Sequence, residues 1–196
     1  MSSWPVPKYT VEEYLAIDEA SDVRNEYLSG YIVAMATNTP EHGRIVDNLI
    51  RHLGNLFDDG PCQTFSQSQR VKASESAYLL PDVMVTCGPP EYLPTRPKTL
   101  TNPLVIIEVL SDTTMNADYG DKFLSYRKLD SLRHYVLVAQ DKASIDIYTP
   151  QPNGHLDLVN ISGLESILEL PAVDVSLPLS LIYKGVEFPV ELEISE

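Results

Sequence analysis

Apolar residues in the segment from Pro40 to Asp58 recur as Ile45, Leu49, Ile50, Leu53, Leu56 and Phe57, the spacing of one face of an α-helix. Gly60-Pro61 closes that segment. An earlier helix is predicted over Thr10 to Asp18, where Thr10 and Glu13 form a capping-box pattern. Between these helices, Glu26-Tyr27-Leu28 and Tyr31-Ile32-Val33 flank Ser29-Gly30, which predicts a hairpin with a two-residue turn. Extended segments are predicted over Gln63 to Ala73, Tyr78 to Thr86 and Leu104 to Leu110. The last lacks alternation and is rich in Val, Ile and Leu, as in a strand buried on both faces. Gly88 to Pro103 carries five prolines and reads as a loop. A helix is expected from Ser111–Thr114 to about Asp130, then strands over His134 to Ala139 and Ser144 to Tyr148. Beyond Pro150 the pattern weakens, to a candidate strand over His155 to Ile161 and a short apolar element over Val175 to Tyr183. Mixed helices and strands in this order predict an α/β fold with a mixed sheet.

Two acids interrupt the apolar strands. Asp82 follows Pro81 in Leu79-Leu80-Pro81-Asp82-Val83-Met84-Val85, and Glu108 lies within Leu104–Leu110. Burying a carboxylate in such a setting costs several kcal/mol, roughly, unless it is paired or bound to a metal. Each acid taken alone also suits a solvent-facing strand end or an internal salt bridge. If the two strands are neighbours, both carboxylates share one space and form a hard-oxygen site suited to Mg²⁺ or Mn²⁺. A divalent metal held there would activate water and neutralise phosphate charge. On the following helix, Asp118, Lys122 and Tyr126 recur at every fourth position and share a face, which equally makes a solvated ion pair.

These residues, in order, resemble the Uma family of bacterial restriction-endonuclease-like proteins. The resemblance rests on Pro81-Asp82, Glu108-Val109-Leu110-Ser111, Asp118-x-x-x-Lys122-x-x-x-Tyr126 and Tyr135-x-Leu137-Val138. Glu13-Tyr14, the Glu26-Tyr27-Leu28-x-Gly30 hairpin, Met35 and Pro40-Glu41-His42 add to it, so that it spans roughly residues 8 to 150. It implies a PD-(D/E)XK nuclease fold, a central mixed β-sheet flanked by helices. It further implies Asp82, Glu108 and Lys122 as catalytic residues, with Asp82, Glu108 and Glu26 as metal ligands. The superfamily's usual lysine falls at Leu110, and Lys122 looks like its substitute. Val136 stands where a Trp is often found. His42 and Gln69 join Asp118 and Tyr126 as accessory candidates, His42 from the first turn of its helix and Gln69, with Arg70, from a strand that would face the cleft.

The chain of 196 residues carries a net charge of −14, which would repel a nucleic acid at long range. Part of that charge is remote from the acids: Glu187 to Glu196 holds four glutamates and no base. The expectation is therefore a metal-dependent endonuclease acting on DNA, or alternatively a non-catalytic dimeric binding or assembly protein that keeps the fold. A homodimer is expected in either case. One domain over 1–196 is expected, with a core over about 8–150 and a C-terminal extension over 151–196 packing on or beside it. No apolar run approaches the roughly 20 residues of a membrane span, and Met1 to Lys8 shows no basic segment leading into an apolar one. Cys62 and Cys87 fit no zinc or redox spacing, so free thiols in a reducing cytoplasm are expected.

Overall fold

The computed structural model describes residues 8–35, 39–111 and 114–189. The expectation for Met1 to Lys8 falls outside them except at Lys8, as do the end of the acidic tail and two residues of the Ser111–Thr114 helix start. Helix α1 (Val11–Ala20) starts at Thr10, whose hydroxyl accepts the Glu13 N–H while the Glu13 carboxylate accepts the Thr10 N–H, completing the expected capping box. Strands β1 (Asn25–Leu28) and β2 (Tyr31–Ala34) form the expected hairpin. Its turn residues Ser29 and Gly30 both have positive φ, 53° and 94°, the geometry that matches the twist of the strands. Helix α2 (Pro40–Phe57) follows, capped by the Thr39 hydroxyl on the His42 N–H.

The two long extended segments each divide into two strands. β3 (Cys62–Ser66) and β4 (Arg70–Ser74) are separated by a turn, and β5 (Ala77–Leu79) and β6 (Val83–Cys87) by Leu80-Pro81-Asp82. Pro81 cannot donate to a ladder, so it marks a place where the chain changes sheet. The proline-rich stretch is mostly loop but contains the short strands β7 (Tyr92–Leu93) and β8 (Thr99–Leu100). β9 (Val105–Val109) is buried at every position, as expected of a strand covered on both faces.

The predicted long helix is two helices, α3 (Met115–Tyr119) and α4 (Asp121–Tyr126). Gly120 breaks it: a Cβ there would lie 2.8 Å from the Asn116 carbonyl oxygen, closer than any other residue tolerates. β10 (His134–Val138), β11 (Ser144–Pro150) and β12 (Leu156–Ser162) follow, then β13 (Ile167–Leu170), β14 (Val175–Pro178) and α5 (Leu179–Ile182).

Two six-stranded mixed sheets result, in the orders β2-β1-β5-β4-β8-β7 and β12-β11-β10-β9-β6-β3, with β13–β14 as a separate hairpin. The second sheet is the central one. One of its faces packs Val83, Val85, Ile107 and Val136 against the α2 stripe of Ile45, Leu49 and Leu53, together with β13, β14 and α5. Its other face packs Met84, Ile106, Tyr135 and Leu137 against Tyr126 of α4 and Val71 and Leu79 of the first sheet. α1 covers the far side of the first sheet through Tyr14, Tyr27 and Tyr78. Each fully buried Val, Leu or Ile contributes roughly 1.5–3 kcal/mol of apolar transfer.

Two sequence expectations are corrected here. Cys62 and Cys87 are not free thiols: β3 and β6 place them directly opposite in register, and they form a disulfide. A disulfide lends no support to a reducing cytoplasm. Arg70 does not face a cleft; it is fully buried and donates to Asp18, Thr99 and the Pro97 carbonyl, pinning α1 to the β4–β8 pair. Among the described residues, no helix is long and apolar enough to cross a membrane.

Candidate active site

β6 and β9 run antiparallel, with Val83 opposite Ile107 and Met84 opposite Ile106. Side chains alternate along a strand, so Asp82 shares the face of Met84 and Glu108 the face of Ile106. The two acids therefore meet one step beyond the last paired residues. The Asp82 N–H donates to Glu108 Oε2 at 3.2 Å, and the Val109 N–H donates to Asp82 Oδ2 at 2.8 Å. The break at Pro81 frees the Asp82 backbone from the ladder and makes the first of these bonds possible.

Other elements bring their side chains to the same place. α2 begins beside the start of β6 and brings His42 Nε2 to 3.1 Å from Asp82 Oδ2. β1 brings Glu26, whose Oε1 accepts the Leu80 N–H at 2.8 Å. α4 brings Lys122, whose ammonium lies 3.3 Å from Glu26 Oε2, 3.4 Å from Glu108 Oε1 and 3.3 Å from Asp118 Oδ1. The Tyr126 hydroxyl donates to Glu108 Oε1 at 2.9 Å, and the Tyr135 hydroxyl to the Asp118 carbonyl at 2.9 Å. Seven of the eight candidates from the sequence thus converge, although Gly120 interrupts the helix between Asp118 and Lys122.

Gln69 is the exception. Its amide donates to the Arg70 and Lys98 carbonyls, which tie it to the starts of β4 and β8, and it does not line the cavity of the acids. What the pattern of acids did not reveal is the framework around them: the N–H groups of Leu80 and Val109 and an apolar wall. Leu28, Val33, Ala34, Met35 and Ala117 line a cavity of about 280 Å³ into which Glu26, His42, Asp82, Glu108, Asp118 and Lys122 also face. The available signal was the unbroken apolar run Tyr31–Ala34 of β2, in which Val33 is left exposed.

Four carboxylates border this cavity with one ammonium. Burial pushes the Glu108 carboxyl well above the usual carboxylate range; Lys122 opposes this, and Asp118, Asp82 and Glu26 reinforce it. Burial likewise raises Asp118, again against the pull of Lys122. For Lys122, burial favours the neutral amine, but Glu108, Glu26, Asp118 and Asp82 outweigh it and raise the ammonium well above its ordinary value. Lys122 is thus held charged. Tyr126 is raised by burial and by the Glu108 charge, so its hydroxyl keeps its proton and remains a donor.

A mixed central sheet carrying acids at the ends of two adjacent strands, with a lysine from the following helix, is a restriction-endonuclease-like arrangement. A solved structure from Anabaena variabilis, described as "a putative nuclease belonging to DUF820", shares the fold with a TM-score of 0.72 at 17% identity, covering 89% of this chain and 97% of that one. The family Uma2, described as "Putative restriction endonuclease", matches residues 11–180, and the chain belongs to that family. Two uncharacterized proteins of Synechocystis are similar throughout. One, slr1290, is 32% identical over 187 residues, 95% of this chain and 97% of its own length. The other, sll1609, is 33% identical over 161 residues, 82% and 91% respectively.

Proposed function

We propose that the protein is a metal-dependent endonuclease that hydrolyses DNA phosphodiester bonds at the Asp82–Glu108 site. The observation that carries this reading is the charge excess in the cavity, four carboxylates facing one ammonium. The donors are all oxygen, which fits a hard divalent cation such as Mg²⁺ or Mn²⁺. Among the described residues, no three acids or histidines converge closely enough to cage an ion alone. The remaining ligands would be water and substrate oxygens, the common arrangement for Mg²⁺.

Asp82 and Glu108 would hold the ion, with Glu26 completing the acidic wall. Such an ion supplies an activated water and polarises a phosphoryl oxygen. The chain's own residues do the rest. The Lys122 ammonium stabilises negative charge that develops on the phosphate and orients the attacking water. Tyr126 fixes the rotamer of Glu108, and His42 that of Asp82. Val33 and Met35 add apolar surface beside the acids.

A second reading, a non-catalytic binding or assembly protein, has one observation in its favour: Lys122 already compensates three acids. Titration calorimetry with Mg²⁺ and Mn²⁺ separates the two, alongside plasmid cleavage by the wild type, Asp82→Asn and Glu108→Gln. Metal binding with cleavage that both substitutions abolish supports the endonuclease. Absence of metal binding, or cleavage that survives both substitutions, removes it.

A further inference from the structure

We infer that Arg24 is a phosphate-backbone contact for a nucleic acid strand leaving the cavity, a reading that rests on the proposed nuclease function. Arg24 immediately precedes β1, so it shares a strand face with Glu26, which borders the cavity two residues on. Residues two apart on a strand are separated by about 6.6 Å, the scale of one step along a nucleic acid backbone.

The guanidinium is held in place by one of its arms. Nη1 donates to the Ser68 carbonyl at 2.9 Å, in the turn between β3 and β4. Nε and Nη2 are shielded from water and have no hydrogen-bond partner among the described residues. Those two nitrogens form the edge of an arginine that carries two parallel N–H groups, the fork that matches two oxygens of a phosphate. A shielded cationic donor pair without an acceptor is costly, and an incoming anionic oxygen pair would satisfy it.

The surroundings link this fork to the acids. The Arg24 carbonyl accepts the Met35 N–H at 3.1 Å. Met35 forms part of the wall of the catalytic cavity and also of a groove of about 820 Å³ bordered by Arg24, Val46, Asp47, Ser66, Gln67 and Ser68. A strand with one phosphate at Asp82–Glu108 and the next across Met35 would meet the guanidinium. Asp22 and Asp47 border the same groove and oppose an anion there. Neither bonds Arg24, so the fork stays unpaired while the acidic groove weakens any binding that lacks the bidentate contact.

The test is fluorescence anisotropy of a fluorescein-labelled DNA duplex against the full chain, with Ca²⁺ in place of Mg²⁺ and across a salt series. The chains compared are the wild type, Arg24→Gln, Arg24→Lys and Asp47→Asn. Arg24→Gln is expected to weaken binding about tenfold and to reduce the salt slope by about one. Arg24→Lys is expected to restore the slope but not the full affinity, because lysine has no fork. Asp47→Asn, an exposed change on α2 that does not disturb the core, is expected to tighten binding. Wild-type affinity and slope in Arg24→Gln, or no effect of Asp47→Asn, overturns the inference even if the enzyme cuts DNA. Binding with the expected slopes but no cleavage in Mg²⁺ or Mn²⁺ upholds it and overturns the nuclease reading. A wild type that binds no DNA overturns both.

Discussion

Asp82 and Glu108 hold one another across the gap between β6 and β9: the Asp82 N–H donates to Glu108 Oε2, while Asp82 Oδ2 accepts the N–H of Val109, the residue after Glu108. Two acids that repel as charges are thereby fixed side by side through main-chain donors. The geometry does not require the Asp82 charge, because an Asn side-chain oxygen can accept the same Val109 N–H.

Asp82→Asn should therefore fold normally and lose function. Its thermal midpoint is expected at or above that of the wild type, since one of four crowded carboxylates becomes neutral. Cleavage with Mg²⁺ should fall by roughly a hundredfold or more, the scale of losing one preorganised electrostatic contact in a site of this kind. Circular dichroism melting and a timed plasmid assay on the same preparation check both halves. A variant that melts far below the wild type would show that Asp82 is chiefly a structural residue.

Lys122→Met should have the opposite balance. Lys122 is 7% exposed and lies within 3.4 Å of three carboxylates. Removing it leaves buried charges without compensation, and breaking such a cluster from one side costs about 3–5 kcal/mol. Urea denaturation at neutral pH measures that loss. The deficit should shrink in acid, where the carboxylates take up protons and no longer need the ammonium. Lys122→Arg keeps the charge and should recover most of the stability, though the wider guanidinium will not restore the geometry at Glu108.

The legible parts of this fold are those whose causes are local. The α2 stripe, the Thr10–Glu13 box, the Ser29-Gly30 turn and the doubly buried β9 all follow from spacing within a few residues. The acids Asp82 and Glu108 were conspicuous because charge is costly among Val, Ile and Leu. What local pattern could not show is where one extended run changes sheet. Gln63–Ala73 reads as one half-buried strand, yet Ser66 ends a strand of the central sheet and Arg70 starts one in the other.

Long-range partners were hidden for the same reason. Asp18 looks like a solvated residue near the end of a helix, and Arg70 like a strand residue facing the cleft, but each is buried against the other at 2.7 Å. The facing of Cys62 and Cys87 depends on the register of β3 on β6, which their separation of 25 residues does not reveal. His42 could be placed on a helix start but not beside Asp82, because that contact needs α2 laid across the sheet. The break at Gly120 left no mark on the Asp118–Lys122–Tyr126 spacing and did not prevent the three from converging.

Stability should depend on pH in a way set by Glu108 and Asp118. Burial raises both carboxyls above their ordinary values of 4.5 and 3.8. A group that holds its proton more tightly when folded adds stability that is complete below its ordinary value and is lost as pH rises through its folded value. The stability advantage of the wild type over Glu108→Gln should thus decline as pH rises from the carboxyl's ordinary value of 4.5 through its raised folded value. Denaturant midpoints of the two proteins across that range check it. A difference that grows with pH would mean that Glu108 is stabilised as the charged form, with Lys122 outweighing burial.

Metal should stabilise the folded chain through the same acids. An ion that binds only the folded state adds RT ln(1 + [L]/Kd), about 2.7 kcal/mol at a hundredfold excess over Kd. Relief of the repulsion among Glu26, Asp82, Glu108 and Asp118, which Lys122 opposes, is one of the contributions to that Kd. Thermal melts in rising Mg²⁺ and Mn²⁺ should show a midpoint that climbs with concentration in the wild type and stays flat in Asp82→Asn. Chelator should return the wild type to its starting value. Equal rises in the wild type and the variant would place the ion elsewhere on this acidic surface, away from Asp82.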